Sequence, residues 1–140
     1  RMLENSLSDG ALYQFRTPGT SEADTEGMLQ LLKTFWAAVA KVFEGAWGLP
    51  PRRSRLMHGA GIVSVGLLMD AIVENHKEQD RIHIGLFHRE LRALRELCHW
   101  TDGWWVFPDG QQRKWNEIQN TSRDTQMLAM HLLTQYQRKA

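Results

Sequence analysis

Arg52, Arg53 and Arg55 stand within four residues of one another, and guanidinium groups so close offer the planar, multi-donor chemistry that suits phosphates and carboxylates. Lys41 is a further cation on the preceding segment, and His58 follows three residues after the last arginine. An apolar stretch seldom keeps a histidine without a hydrogen-bond partner. His58 therefore reads first as a satisfied core histidine, and second as the centre of a small-ligand or hydrolytic pocket to which Asp70 and Trp100 would have to converge. Cys98 and His99 are a nucleophile and a base by type, yet adjacent residues on a helix point apart, so Cys98 reads as a structural thiol. His76 and His83 flank Asp80, with Glu74 and Glu78 close by; these are metal-ligand types without metal-ligand spacing, and the reading is a solvated connector with no metal. Asn116, Glu117, Gln119 and Asn120 could read a base or a peptide backbone, but such side chains more often bond locally and hold a turn. No phosphate loop of the glycine-lysine-serine type is present, and no glycine leads from a strand into a helix in the dinucleotide pattern. No catalytic residue and no cofactor is assigned, and the chain reads as a non-enzyme.

The element that must position the arginines and His58 is the apolar run from Leu56 to Val73, read as a buried central helix. Its uninterrupted apolar or small portion between His58 and Asp70 is 11 residues, far short of the roughly 20 a membrane span needs. Gly59 and Gly66 lie one heptad apart, so the spacing predicts a face on which another backbone packs closely, at about 1 kcal/mol per glycine relative to alanine; a looped Gly59–Gly61 segment is the alternative. Pro50 and Pro51 end whatever helix precedes, and Gly48 is a suitable C-terminal stop for it.

Residues 1–20 read as an irregular N-terminal arm, with turn signals at Ser8-Asp9-Gly10 and Pro18-Gly19. Residues 21–140 read as a single helical domain. Ser21 or Asp24 caps a first long helix whose stripe runs through Met28, Leu29, Leu31, Leu32, Phe35, Trp36, Val39, Val42, Phe43 and Trp47; it is expected to lie lengthwise on the central helix. A third helix spans Ile82 to Trp100, with Arg92 and Glu96 as an i,i+4 pair on a solvated face that also carries His88, Arg89, Glu90 and Arg95. Trp104-Trp105-Val106-Phe107 has strand composition, and Pro108-Asp109-Gly110 is a turn, so a small hairpin or loop returns through Lys114-Trp115. Its tryptophans form a cap over the bundle in the favoured reading and an exposed aromatic surface in the other. Thr121 or Ser122 caps the last helix, whose apolar face draws on Met127, Leu128, Met130, His131, Leu132, Leu133 and Tyr136. The fold class is thus all-α, about four helices bundled around a glycine-containing central one, with a tryptophan-rich hairpin or loop.

At 140 residues the chain is one domain, long enough for a core that needs no staples. One cysteine cannot form an internal bridge, which fits a reducing, cytoplasmic setting. Seventeen Lys and Arg against sixteen Asp and Glu leave no global charge to draw the chain to nucleic acid, so any such binding needs a local patch. The first residues lack a signal-peptide pattern, and no membrane partner is expected.

Taken together, Trp47-Gly-Leu-Pro-Pro through His58-Gly-Ala-Gly-Ile-Val-Ser-Val-Gly-Leu-Leu-Met-Asp70, Cys98-His-Trp100-Thr-Asp-Gly, Trp115-Asn-Glu-Ile-Gln-Asn120-Thr and Leu132-Leu-Thr-Gln-Tyr136 resemble the C-terminal helical region of DGQHR-domain bacterial proteins, relatives of the DndB family associated with DNA sulfur modification. The resemblance covers most of residues 30–138 and implies a DNA-modification, defence or mobile-element setting and a larger parent with an N-terminal ParB-like domain. Asp109-Gly-Gln-Gln-Arg113 looks like the namesake motif but stands outside the context that motif has in the family, between a strand and a helix of the N-terminal domain. It is read as a turn, and no role is carried to it. With the ParB-like domain expected to be missing, the chain reads as a stand-alone or truncated module. The function expected is a non-enzymatic interaction module that forms a homodimer or binds a protein partner, with Leu12, Tyr13, Phe15 and the first long helix contributing to a dimer. DNA binding through Arg52, Arg53 and Arg55 is the alternative, and a site at His58, Asp70 and Trp100 is the third reading.

Overall fold

The computed structural model describes residues 1–12, 25–77 and 83–139. Its elements in chain order are α1 (Met2–Asp9), α2 (Thr25–Val42), α3 (Gly59–Asn75), α4 (Ile84–Arg92), strands β1 (Trp104–Val106) and β2 (Gln112–Lys114), and α5 (Ser122–Lys139). Among the described residues no helix is long and apolar enough to cross a membrane.

Two helix pairs carry the architecture. α3 packs on α5, and α2 packs on α4, with α1 laid across α3. The expectation that the first long helix lies along the central one is therefore corrected: its main partner is α4, where Phe35 meets Phe87 edge to face with ring centroids 5.1 Å apart. α3 is buried on most sides, through Ala60, Gly61, Ser64, Val65, Gly66, Leu68, Met69, Ile72 and Val73, as expected of a helix with few polar residues.

Its glycines work differently from the predicted heptad pair. A Cβ on Gly61 would lie 1.9 Å from the carbonyl oxygen of Arg55, so the close backbone approach is here, against the 3-10 turn Arg55–Met57. Gly66 makes room for the side chain of Met2, and Gly59 for that of Asn120. All three glycines are helical, so Gly59–Gly61 is not a loop.

Three further boundaries differ from expectation. The N-terminal residues form α1, whose Met2 and Ser6 are buried, where an irregular arm was expected. α2 ends at Val42 and gives way to turns in which the amides of Ala46 and Trp47 both donate to the Phe43 carbonyl; Gly48, at φ +84°, takes a left-handed conformation open to glycine. α4 stops at Arg92 and is followed by a separate 3-10 turn, Arg95–Leu97, so Arg92 and Glu96 do not share a helix. The predicted caps at Ser21 or Asp24 lie outside the described residues.

The hairpin forms as predicted, antiparallel with Trp104 opposite Lys114, Trp105 opposite Arg113 and Val106 opposite Gln112. Alternation along β1 sends Trp105 into the core and leaves Trp104 and Val106 exposed, as the two-residue period of a strand requires. Both readings of the tryptophans hold in part: Trp105 caps the bundle and Trp104 faces outward. Asp109 Oδ1 accepts the Gln111 amide at 2.9 Å and Gly110 sits at φ +88°, which makes the Asp109–Arg113 stretch a turn and the start of β2.

Candidate functional site

The three arginines part company. Arg55 is 8 % exposed and its guanidinium donates to three main-chain carbonyls, from Nε to Ile118, from Nη1 to Pro51 and from Nη2 to Asn116, each at 2.8 Å. Its own amide donates to the Trp100 carbonyl at 2.8 Å, and its guanidinium lies 5.7 Å from the centre of the Trp115 ring, a cation–π contact. The reading of Arg55 as a surface contact is corrected: its fork is consumed in pinning the loop before α3 to the segment after β2. Arg52 and Arg53 remain exposed in the turn before it. The patch is reduced from three arginines to two.

The second pinned point is Asp124, at the start of α5. Its carboxylate accepts Arg113 Nη2 at 3.1 Å and the Gln119 amide at 2.8 Å, while its own amide donates to Thr121 Oγ1 at 3.2 Å; Thr121 is the cap that the sequence predicted. Burial acts to raise the carboxyl, but the Gln119 amide, Arg113 and Arg123 outweigh it and hold Asp124 below the ordinary carboxylate range.

His58, Asp70 and Trp100 do not converge on a pocket. His58 is the residue before α3 and offers no side-chain cap to it. Its Nδ1 is buried without a hydrogen-bond partner among the described residues, and burial, then Arg55, push its pKa down. Asp70 stands on the same helix about 18 Å further along at 1.5 Å per residue. There its Oδ1 accepts the Ser6 hydroxyl at 2.7 Å and the Ala11 amide at 2.9 Å, which ties α1 down. Trp100 belongs to a buried aromatic cluster, edge to face with Phe43 and with Trp105. The third reading of the sequence therefore has no shared cavity.

That cluster holds a residue the sequence reading placed only as part of an apolar face. His131 is 4 % exposed and stands edge to face with Trp105 and Phe107. Burial first, then His99 and Arg138, lower its pKa. Among the described residues Nε1 of Trp100, Nε1 of Trp105 and Nδ1 of His131 have no conventional partner, and the perpendicular ring stacking supplies weaker contacts of the N–H to π kind at most.

The remaining sequence candidates resolve into structural roles. His76 pairs with Glu90 and joins the end of α3 to α4, Lys77 pairs with Glu74 at 2.8 Å, and His83 accepts the Leu86 amide as the cap of α4. Glu78 and Asp80 lie outside the described residues, and among the described residues no group of acidic, histidine and cysteine side chains is arranged to hold a metal. Cys98 packs against the core, and burial pushes its thiol well above the ordinary range, which opposes the thiolate a nucleophile needs.

What the surface does offer is a groove of about 270 Å³ between α1, α3 and α5. Val63 and Leu67, one turn apart on α3, and Ala129, Met130 and Leu133 on α5 form its apolar lining, and Arg1, Asn5, Thr125 and Gln126 its polar edge. Met130 is 64 % exposed, against the expectation that it faces the core. The sequence held a signal for this: Leu128, Leu132 and Tyr136 recur every four residues along one face of α5, and Met130, two residues from Leu128 and from Leu132, lies about 200° around the helix from that face.

The class defined by these observations is a helical domain of two packed helix pairs with a small hairpin and an open apolar groove. No family model, curated protein or solved structure matches the chain.

Proposed function

We propose that this chain is a non-enzymatic interaction module that self-associates through the groove of α1, α3 and α5. The observation that carries the reading is Met130, a large apolar side chain left 64 % exposed on the edge of a groove lined by Val63, Leu67 and Leu133. Knob and hole lie on one face, so a copy related by a two-fold axis inserts its Met130 into the first groove and receives the first Met130 in its own. That isologous arrangement is how most homodimers close. The edge carries a single charged side chain, Arg1, among neutral ones, so bringing two copies together opposes little like charge. Leu12, named from sequence as a dimer contributor, is 1 % exposed within the chain and is replaced in that role by Met130; Tyr13 and Phe15 lie outside the described residues. The resemblance to DGQHR-domain proteins adds the setting in which such a module would serve, DNA modification, defence or mobile elements.

The test is sedimentation velocity on the wild type and on Met130→Glu. A wild-type dimer at about 100 μM, a loose association on the affinity scale, together with a monomeric and equally stable variant is the expected result. A wild type that stays monomeric at that concentration overturns the proposal.

A further inference from the structure

The outer face of α4 holds a second depression, of about 350 Å³, lined by Gly85, His88, Arg89, Arg92 and Ala93. These positions are i, i+3, i+4, i+7 and i+8 and so form one stripe of the helix. His88 and Arg92 are four residues apart and Arg89 and Arg92 three, which sets their Cβ atoms about 5–6 Å from one another. Gly85 and Ala93 are the smallest residues available and leave the ends of the stripe unfilled. Both arginines are exposed, and among the described residues neither joins an ion pair. Glu90, the one acidic residue of α4, is taken by His76; Glu96 lies beyond the helix, in the following 3-10 turn.

Cations in the last turn of a helix are favoured by its dipole even when solvated, which accounts for Arg89 and Arg92. It does not account for His88, a half-buried residue whose Nε2 is shut off from solvent and has no partner among the described residues. Buried polar atoms are otherwise almost always satisfied by protein, water or a ligand. Two forked donors, a histidine in the wall and small neighbours in one depression with no acidic wall among its described residues make a site for an oxyanion.

We propose that this depression binds a phosphate group, held by the guanidinium groups of Arg89 and Arg92, with the half-buried His88 side chain in its wall. The phosphate can belong to a small molecule or to a nucleic-acid backbone; both present the same oxygens to the same donors, and the experiment separates them. Neither guanidinium makes a hydrogen bond among the described residues, so replacing the two side chains leaves the fold intact, which a thermal melt checks.

The experiment is isothermal titration of the intact chain at low ionic strength with pyrophosphate, a mononucleotide and a short single-stranded oligonucleotide. The wild type is compared with Arg89→Ala/Arg92→Ala and with Arg52→Ala/Arg53→Ala. Saturable binding that weakens about tenfold or more in the α4 variant, as loss of charge-assisted hydrogen bonds implies, and persists in the other variant supports the site. Equal affinity for mononucleotide and oligonucleotide marks a small phosphorylated ligand. Binding of the oligonucleotide alone, falling steeply with salt, marks a nucleic-acid backbone. No saturable binding of any of the three, or equal loss in both variants, overturns the proposal.

Discussion

An arginine beside two other arginines invites a reading as part of a cationic surface, and Arg55 shows how burial changes that role. Its guanidinium donates to three carbonyl oxygens, that of the buried Ile118 among them, and an unsatisfied buried acceptor is costly. Arg55→Ala is expected to destabilise the domain by about 3 kcal/mol, and Arg55→Lys to recover little, because an ammonium lacks the planar fork. Arg52→Ala, at an exposed position, should change stability by less than about 0.5 kcal/mol. Urea unfolding of the three variants measures the order. His131 makes the second prediction at this scale. Its pKa is lowered in the fold, so above the unfolded value near 6.5 both states are neutral and its contribution to stability is fully present. As pH falls through 6.5 the unfolded chain takes up a proton that the buried imidazole refuses until its lower folded pKa is reached, and stability is lost across that interval. His58, also lowered, adds in the same direction. Thermal melts at pH 7.5 and 5 should show a drop that is smaller in His131→Phe than in the wild type.

Among the elements, α3 shows the same residue type serving two unequal contacts. An added Cβ at Gly61 meets a backbone carbonyl at 1.9 Å, whereas at Gly66 it meets Met2 Cγ at 2.1 Å, in a flexible side chain. Backbone in a packed turn cannot move aside without dragging Arg55 from its carbonyls, so Gly61→Ala is expected to cost about 3 kcal/mol. At Gly66 the clash is with Met2 Cγ, close to the α1 backbone, so α1 has to shift with the side chain, but alanine regains up to about 1 kcal/mol of helix propensity against that cost, so Gly66→Ala should be the milder change. Calorimetric melting of the two variants checks the ranking; a more severe effect at Gly66 would show that α1 holds the domain together more tightly than the loop before α3. The apolar character of α3 was legible from composition, and its burial follows. Which glycine faces backbone was not, since the Gly59 and Gly66 spacing describes one helix and the contact at Gly61 depends on a turn that folds back onto it. The same reason hid the break after Arg92: Leu91, Leu94 and Leu97 keep a helical spacing, but a 3-10 turn places residues at i and i+3 on one side as well.

For the whole molecule, the placement of the helices decides which candidate residues meet. Asp70 in α3 meets α1, whereas His58, the residue before α3, is joined through its amide to the Arg55 carbonyl of the preceding turn. α5 and α1 each lie beside α3, and the groove exists only because the three leave Val63, Leu67 and Met130 along a shared edge. Self-association is argued at this scale. A stable dimer covers about 800 Å² per partner, more than the groove alone supplies, so side chains around the groove should join the interface, whereas Leu3, exposed on α1, lies two residues from the groove-lining Arg1 and Asn5 and so on the other flank of that helix. Leu3→Glu is expected to weaken the dimer less than Met130→Glu, and light scattering across a dilution series orders the two.

Several features were determined by the sequence alone because they are local. Helical periodicity, the prolines after Gly48, the Pro108-Asp109-Gly110 turn, the strand character of Trp104–Val106 and the Thr121 cap each depend on a few adjacent residues and their own backbone preferences. Burial of Arg55, the pairing of α2 with α4 and the tie of Asp70 to α1 were decided only by tertiary structure. Each depends on groups 40 or more residues apart, such as Arg55 with Ile118, and no local preference records which distant carbonyl or helix face will arrive beside a given side chain.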